Sequence, residues 1–385
     1  MNKKLFLPTG LIFALLMQAL LLAGASAQPT AQWTFMIYVC GDNDLEDYWP
    51  DKNVPQLTSV GSTADVHFVA LVDLMTRMDG VELQHLEKDY VNVVQTYPEQ
   101  NLGDPQVCID FVNTVKSLYP ANKYVLDFWN HGNGWDYVCW DEGDDDWFLN
   151  PDLATIMDAV GYIDIVCFDA CDMGQIDVYY EFLGHAGYIV GSEESVPIDG
   201  YPYDTLAQDL VDNPTWTPER YATEMVTNYG EYYSGMKGYD WAMLSAIDGS
   251  QLPALTTSFT DWTSEMTAAL AKNKRQITSA LRGAKKMSQT NYYVDLGDYL
   301  VELLEEKNVP ASLVTAAENA QTVLSNAVVA KWNGKKMKAC HGLAFYWAKA
   351  NYWKGTWSVR DVYVEQVAWG TATGWIGFLD AYHGV

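Results

Sequence analysis

Four short and mostly apolar runs constrain the fold of this chain more than any other feature of its sequence. They span Trp33 to Val39, Val66 to Val72, Tyr124 to Trp129 and Ile163 to Phe168. Runs of six or seven residues are shorter than typical helices, and without regular polar alternation they are typical of strands buried on both faces. The sequence therefore predicts a central sheet with helices on both sides.

Segments with helical periodicity separate these runs. One begins at Asp104-Pro105 and another at Asn150-Pro151, with proline at the first turn, where its missing N–H is tolerated. Two further strands are predicted at Tyr188 to Gly191 and Trp241 to Ile247. This alternation predicts an α/β fold with a mostly parallel central sheet.

The C-terminal part is less regular. Its predicted elements are two helices, at Leu252 to Met287 and Ser312 to Lys331, and a strand at His341 to Trp347. Because no repeat or clear linker interrupts the chain, we expect residues 28–250 to form a core and residues 251–385 to complete the same unit.

The first residues predict export. Lys3 and Lys4 precede an apolar stretch from Leu5 to Leu22, and Ala25-Ser26-Ala27 offers small residues for cleavage after Ala27. This is the pattern of a secretory signal peptide at 1–27. We therefore expect a secreted or periplasmic protein that is not stably inserted in a membrane.

Two of the predicted strands end in motifs with reactive side chains. Trp129 is followed by Asn130-His131-Gly132-Asn133-Gly134-Trp135, and Phe168 by Asp169-Ala170-Cys171-Asp172-Met173-Gly174. Open α/β sheets carry their chemistry at the carboxyl ends of strands. Because an imidazole can activate a thiol and protonate a leaving amine, His131 and Cys171 together indicate a cysteine peptidase.

The residues around this pair have further expected roles. Gly132 lacks a Cβ, so its backbone can approach a substrate, and the N–H groups of Gly132 and Cys171 are candidates for an oxyanion hole. Taken singly, a buried Cys is usually inert packing, which is the expectation for Cys167 within its strand. His341, which precedes a glycine at the start of a predicted strand, is the rival histidine.

The charge of the chain limits its partners. Acidic residues number 50 and basic residues 23, which argues against binding to nucleic acids or anionic membranes and favours cationic partners. From Tyr124 to Glu219 there are 21 Asp and Glu but no Lys or Arg. His131 and Cys171 both lie in this stretch.

The motifs resemble those of the clostripain family of cysteine peptidases. The resemblance covers most of the chain after residue 27, in order, and its other segments are Trp33 to Tyr38, Gly41 to Glu46, Ser192 to Glu194, Gly200 to Asp204, Leu244 to Asp248, Tyr293 to Leu296 and Gly342 to Tyr346. It implies a caspase-like α/β/α sandwich, shared with gingipains and legumains. It also implies a dyad of His131 and Cys171 that cleaves after basic residues.

In this family, acidic side chains line S1, the pocket for the residue before the scissile bond (P1). Asp169 fits this role because it lies two residues before Cys171, on the same side of the strand. Asp199 is the second candidate. Two such carboxylates would bind Arg or Lys of a protein or peptide substrate.

Two features depart from the family's pattern. Self-cleavage after a basic residue between the histidine and the cysteine is common in the family, but residues 132–170 contain no Lys or Arg. We therefore expect activity without that cut, or maturation elsewhere, for example in the basic segment Lys272 to Lys286. Asp172 stands where the family often has an apolar residue, and its charge would raise the pKa of the neighbouring thiol.

A metal ion is a separate question, since the chemistry itself requires no cofactor. Some relatives depend on Ca²⁺, and the acidic run Asp141 to Asp146 supplies oxygen ligands, as does the loop Asp42-Asn43-Asp44. The run does not match the EF-hand spacing, and acidic runs are usually solvated loops. The sequence therefore leaves metal ligands unassigned.

Two other functions stay open. The first is a caspase-like peptidase with a non-basic P1 preference, such as Asn. The second is a catalytically weak secreted binding protein whose C-terminal aromatic residues hold glycans or partners, namely Trp347, Trp353, Trp357, Trp369 and Trp375.

Overall fold

The computed structural model describes residues 30–287, 292–356 and 358–385. The predicted signal peptide at 1–27 lies outside the described residues, as does Trp357. Within the described residues, no helix combines the length and the apolar character needed to cross a membrane.

The strands follow the predicted runs closely in the first half of the chain. They are β1 (Ala31–Gly41), β2 (Val66–Leu74), β3 (Val81–Glu87), β4 (Tyr90–Tyr97), β5 (Ala121–Trp129), β6 (Val138–Asp141), β7 (Asp146–Phe148), β8 (Ile163–Asp169), β9 (Ala186–Gly191), β10 (Met243–Asp248), β11 (Tyr293–Asp295), β12 (Val328–Asn333) and β13 (Ala344–Tyr346).

The helices connect and flank these strands. They are α1 (Val54–Val60), α2 (Pro105–Leu118), α3 (Asn150–Val160), α4 (Ile176–Tyr179), α5 (Tyr203–Asp212), α6 (Pro218–Ser234), α7 (Leu252–Gly283), α8 (Leu296–Glu305), α9 (Ala311–Ala327), α10 (Ala350–Trp353), α11 (Arg360–Gln366), α12 (Ala368–Ala372) and α13 (Trp375–His383). A π-helical turn at Trp49–Asn53 precedes α1, and short 3₁₀ turns lie at Tyr180–Phe182 and Gly249–Gln251.

One large sheet organises the molecule, with the strand order β12-β10-β9-β8-β5-β1-β2-β3-β4. The five inner strands from β9 to β2 are parallel, and antiparallel strands extend both edges. Phe35 and Ile37 of β1 belong to the apolar core on one face, and Met36 and Tyr38 belong to the core on the other face. Burial on both faces explains why the runs do not alternate, and the predicted α/β sandwich is confirmed.

The predicted helix starts are confirmed at both prolines. Pro105 and Pro151 lie in the first turns of α2 and α3, and the Asp104 carboxylate accepts a hydrogen bond from the N–H of Gln106 at 2.9 Å. This side chain caps the helix because the first N–H groups have no partner within the helix.

Several elements differ from the sequence predictions. The helix predicted to reach Lys331 ends at Ala327, and Val328–Asn333 forms β12, which pairs with β10 at the sheet edge. The β-branched Val328 and Val329 favour this edge position over another helical turn. The strand predicted at His341 to Trp347 is confined to β13, and the hairpin of β3 and β4 was not predicted.

The C-terminal part contacts the segment that contains the candidate nucleophile. The N–H of Ala344 donates to the carbonyl of Gly174 at 3.0 Å, and the N–H of Tyr346 donates to the carboxylate of Asp177 at 2.9 Å. The same part supplies β12 to the central sheet. The division at residue 250 stays a prediction.

The four C-terminal tryptophans that the structure describes do not form the exposed surface that a binding protein would need. Trp347 is 2 % exposed, and Trp353, Trp369 and Trp375 are fully buried. Trp375 packs against Phe259 and Trp262 of α7. These rings stabilise the core, so the four described tryptophans do not support the alternative of an aromatic binding surface.

Candidate active site

The two motifs meet because their strands are neighbours. β5 and β8 are paired in parallel with Trp129 opposite Asp169, and the N–H of Asn130 donates to the carbonyl of Asp169 at 3.3 Å. His131 and Cys171 follow at the same edge of the sheet and line one cavity of about 210 Å³. The remaining lining residues are Leu45, Tyr48, Trp129, Asn130, Asp169, Ala170, Val196, Pro197, Ile198 and Gly200.

The Asn130 side chain fixes the start of the histidine loop. Its amide nitrogen donates to the carbonyls of Cys40 and Trp140, and its oxygen accepts from the N–H groups of Trp140 and His131. Because Asn130 is buried, these bonds hold β1, β6 and the histidine in one arrangement.

The His131 ring lies at the cavity rim against a carboxylate from another segment. Its Nε2 is 2.7 Å from Oδ1 of Asp44, in the loop after β1. A carboxylate partner orients an imidazole and stabilises its protonated form. The structure therefore adds Asp44 as a candidate positioning residue for His131.

Cys171 differs from the other cysteines in its exposure. All six are free thiols, five are buried, and Cys171 alone is partly accessible. Its Sγ lies 3.4 Å from the N–H of Val196, which donates to it. Burial raises the pKa of the Cys171 thiol to about 11; the Val196 N–H opposes this rise and the Asp172 carboxyl adds to it. In this arrangement the resting nucleophile is a neutral thiol.

Gly132 allows the two motif backbones to approach each other. A Cβ built on Gly132 would lie 2.6 Å from the carbonyl oxygen of Cys171, closer than any side chain can come. Glycine is therefore required here for close packing, and the Gly132 backbone lies beside the nucleophile. This proximity is compatible with the expected oxyanion hole.

Asp169 lies on the floor of the cavity. It is 6 % exposed, and its Oδ2 accepts hydrogen bonds from the Tyr201 N–H and the Tyr203 hydroxyl, each at 3.0 Å. Burial raises the pKa of Asp169 to about 6, while those two donors and the Lys52 cation oppose the rise. At neutral pH Asp169 is mostly ionised and can receive a cation.

A second carboxyl group lies beneath Asp169. The Tyr203 hydroxyl is 2.7 Å from Oδ2 of Asp127, which is fully buried in β5. Burial and then the charge of Asp169 raise the pKa of Asp127 to about 8. Asp127 is therefore mostly protonated at neutral pH and supports Asp169 without adding a full charge to the pocket.

Asp199 lies in the loop that follows β9, near the cavity, but its carboxylate already forms an ion pair. Its Oδ1 is 2.5 Å from Nζ of Lys52, in the π-helical turn, and Asp199 is not among the residues that line the cavity. The pair is about three-quarters buried on both sides. Of the two S1 candidates, Asp169 lines the cavity with Cys171, and Asp199 is already paired.

Asp172, beside the nucleophile, has an unusual environment. It adopts a left-handed backbone conformation with φ of 59°, and both of its carboxyl oxygens are buried without a hydrogen-bond partner in the described part of the chain. Burial and the nearby Glu194 raise the pKa of Asp172 well above its ordinary value. Burial is therefore the main cause of the high thiol pKa, and the charge of Asp172 adds to it.

Sequence reasoning did not identify Asp44, Lys52, Asp127 or Tyr203 as parts of the site. The sequence contains one indication for Asp127, because it is the only charged residue in the otherwise apolar run from Tyr124 to Trp129. The rival His341 lies outside the Cys171 cavity, with its Nδ1 3.1 Å from Oδ1 of Asp295.

The thiol pKa leads to a test of the resting state. Below a pKa of about 11 the thiolate fraction rises tenfold per pH unit, so the rate of Cys171 alkylation by iodoacetamide should rise about tenfold per unit between about pH 7 and pH 9. Intact-mass spectrometry measures the rate, and the Cys171→Ala protein gives the background of the five buried thiols. A rate that is constant across this range would mean that the thiolate is already formed.

Comparison with known proteins matches the chain to the clostripain family. The sequence model of the clostripain family matches residues 37–380. Clostripain from Hathewaya histolytica is 26 % identical over 215 residues, which cover 45 % of this chain and 41 % of clostripain. The match thus spans less than half the length of that relative.

Solved structures with a similar fold cover nearly the whole chain. A secreted C11 cysteine protease from Bacteroides thetaiotaomicron, in complex with an irreversible peptide inhibitor, has a TM-score of 0.71 at 22 % identity over 90 % of this chain and 99 % of its own. An inactive zymogen C11 protease from Parabacteroides distasonis has a TM-score of 0.68 at 20 % identity over 89 % of this chain and 98 % of its own. At these identities the likeness shows the fold.

Proposed function

The chain belongs to the clostripain family of cysteine peptidases, and we propose that it is a secreted endopeptidase that uses His131 and Cys171 to cleave after Arg or Lys. The observation that carries this proposal is the cavity of about 210 Å³ that His131, Cys171 and Asp169 line together. The signal-peptide pattern at 1–27 supports secretion.

The proposed reaction needs only these side chains and water. Cys171 Sγ attacks the scissile carbonyl carbon while His131 takes the thiol proton, and the N–H groups of Gly132 and Cys171 stabilise the oxyanion. His131 then protonates the leaving amine as the C–N bond breaks, leaving a thioester. Water, activated by His131, hydrolyses the thioester and restores the thiol.

The proposed specificity rests on charge inside a partly closed pocket. Asp169 is ionised at neutral pH, is held by Tyr201 and Tyr203, and lines the cavity with the nucleophile. A P1 guanidinium or ammonium would form a charge-assisted hydrogen bond there, whereas a neutral side chain would leave the carboxylate unpaired. Asp199 can assist only when Lys52 releases it.

The chain could be active when intact, or it could require a maturing cut in the basic segment Lys272 to Lys286, and the fold favours the first alternative. Most of the basic segment Lys272 to Lys286 lies in α7, which extends to Gly283. A peptidase binds its substrate in an extended form, so a cut within this helix would require local unfolding. We therefore favour activity of the intact chain over maturation in this segment.

A P1-diverse peptide library tests the specificity. We expect cleavage after Arg and Lys, and we expect Asp169→Asn to lower kcat/KM for basic P1 substrates by on the order of 100-fold, because a buried charge partner is lost. The rate for neutral P1 substrates should change far less.

A matched control lies on the same strand. Asp164, at the start of β8, accepts a hydrogen bond from the Tyr124 N–H at 2.8 Å but lies away from the cavity, so Asp164→Asn should keep the wild-type profile. Cleavage by the wild type after neutral residues only would contradict the proposed acidic pocket but not the proposed dyad of His131 and Cys171. No cleavage of any library member would defeat the peptidase proposal itself.

A further inference from the structure

A buried carboxyl group lies behind the nucleophile and has no role in the proposed reaction. It belongs to Glu193, which follows β9 and is fully buried. We call residues 192–196 around it the support segment. At the end of this segment, the N–H of Val196 is the group that donates to the sulfur of Cys171.

Backbone contacts tie the support segment to the loop that carries the nucleophile. The N–H of Gly174 donates to the Ser192 carbonyl at 2.7 Å. The N–H of Asp172 donates to the Glu194 carbonyl at 3.1 Å. A Cβ built on Gly174 would lie 2.7 Å from the backbone nitrogen of Glu193, so the two backbones are in close contact. A shift of the support segment would therefore move the nucleophile.

The Glu193 side chain reaches the C-terminal part of the chain. Its Oε1 accepts from the Gly342 N–H at 2.9 Å, whereas its Oε2 is buried with no N–H or hydroxyl donor in the described part of the chain. Its carboxyl group contacts that of Asp295, at the end of β11, which is also fully buried. Two carboxyl groups form a hydrogen bond with each other only when one of them carries a proton.

The donors around the pair indicate which member holds this proton. Oδ1 of Asp295 accepts from the Asp298 N–H at 2.6 Å and lies 3.1 Å from the His341 ring, and its Oδ2 accepts from the His341 N–H at 2.5 Å. Because N–H donors favour the ionised form, they favour a carboxylate at Asp295 and leave the proton on Glu193. Burial, and after it the charge of Asp295, raises the pKa of Glu193 well above its ordinary value.

The other titratable and charged groups that face Glu193 do not replace the proton. Lys331 of β12 opposes the rise in the Glu193 pKa, but its Nζ donates to the Cys340 carbonyl at 2.7 Å. Burial raises the pKa of the Cys340 thiol, and it also raises the pKa of the Tyr179 hydroxyl in α4. Both groups are therefore neutral at physiological pH.

We propose that Glu193 is a positioning residue that shares a proton with Asp295 and thereby couples the C-terminal part of the chain to the support segment behind Cys171. Loss of the proton at alkaline pH would place two negative charges in contact inside the protein, and their repulsion would loosen this coupling. The effect on Cys171 rests on the proposed function, whereas the shared proton does not.

Chemical unfolding of the full mature chain carrying Cys171→Ala, with and without Glu193→Gln, tests the shared proton. The Gln amide can donate to Asp295 and accept from Gly342, but it cannot ionise. The folded parent holds a proton that an unfolded glutamate releases near about pH 4.3, so its stability should fall as the pH rises above that value. Between about pH 6 and pH 8, its unfolding equilibrium constant should rise about tenfold more per pH unit than that of the Gln variant.

Glu265→Gln is the matched control for the loss of a carboxyl group. Glu265 lies on α7, away from the support segment, and accepts a hydrogen bond from the Ser312 hydroxyl at 2.6 Å. This variant should keep the pH dependence of the parent. An equal pH dependence in the parent and in Glu193→Gln would mean that Glu193 is ionised in the folded chain, and it would overturn the proposal.

A bound cation is the alternative to the proton. The Cys340 sulfur and one oxygen each of Glu193 and Asp295 lie within 4.8 Å of one another, and a thiolate with carboxylates suits Zn²⁺. If ZnCl₂ raises the melting temperature of the parent but not that of Glu193→Gln, the pair holds a metal and the proposal is overturned. We expect no difference between the two proteins.

Peptide cleavage with Cys171 in place tests the effect on the nucleophile. Glu193→Ala removes the coupling and should lower kcat by on the order of 10- to 100-fold with KM nearly unchanged, because a small displacement of the nucleophile is sufficient. Glu193→Gln keeps both hydrogen bonds and should restore kcat at neutral pH. An unchanged kcat in Glu193→Ala, or equal losses in the two variants, would overturn the positioning role.

If circular dichroism shows that Glu193→Ala does not fold, the Gln variant decides alone. A kcat that matches the wild type at neutral pH and declines less above about pH 8 would support the positioning role, because the Gln amide cannot lose the shared proton. A tenfold loss of kcat at neutral pH would overturn it. Absence of cleavage by the wild type would contradict the proposed function but leave the unfolding result valid.

Discussion

Replacement of Cys171 by Ala is expected to abolish peptide cleavage, with kcat lowered by on the order of 10⁴-fold or more. The Cys171 sulfur is the only protein atom proposed to form a covalent bond with a carbon of the substrate. No other cysteine lines the cavity of the described structure. Single-turnover assays with the best library peptide, followed by mass spectrometry for the acyl-enzyme, provide the measurement.

Cys108→Ala is the control for the loss of a thiol. Cys108 is buried in α2, away from the cavity, so this variant should retain activity with a modest loss of stability. Cleavage by Cys171→Ala at a rate near that of Cys108→Ala would refute the nucleophile assignment. Circular dichroism of both variants separates lost chemistry from lost folding.

The second large effect is expected for His131→Ala, with kcat lowered about 10²- to 10⁴-fold. The resting thiol has a pKa of about 11, so almost none of it is ionised at neutral pH. Without the imidazole, the thiol has no base to take its proton and the leaving amine has no proton donor. Added imidazole should restore part of the activity, since removal of the ring leaves room at the cavity rim. Without added imidazole, the cleavage rate of His131→Ala should rise with pH as the thiolate forms.

His185 provides a closely matched control. Its ring is 31 % exposed and 3.1 Å from the carboxylate of Asp158, whereas the His131 ring is 30 % exposed and 2.7 Å from Asp44. His185→Ala therefore removes a similar contact between an imidazole and a carboxylate without touching the cavity, and it should leave kcat unchanged. Equal losses in the two variants would indicate a structural effect rather than base catalysis by His131.

The residues that local pattern could identify are those at the ends of buried strands. β5 and β8 were predictable because both faces are buried, and His131 and Cys171 were predictable because polar motifs follow these strands directly. Asp169 followed from the family resemblance, which implies an acidic S1 pocket, together with its spacing to Cys171. In each case the relevant information lies within a few residues of sequence.

The rest of the site depends on partners far apart in the chain. Asp44 and His131 are separated by 87 positions, and Lys52 and Asp199 meet only because the π-helical turn and the loop after β9 reach the same edge of the sheet. No periodic pattern in the sequence indicates such contacts between distant residues. β12 was missed for a related reason: its β-branched valines favour a strand, but the pairing with β10 that stabilises it is not visible in the local sequence.

A P1 side chain that recruited Asp199 to the proposed S1 pocket would enter an exchange reaction, because Asp199 is already in an ion pair with Lys52. A substrate cation that reaches Asp199 must displace an ammonium group that the protein already holds, so the net gain is the difference between two ion pairs. A substrate lysine would replace like with like. An arginine brings a planar, bidentate donor that Lys52 cannot match, so we expect this exchange to favour arginine over lysine at P1.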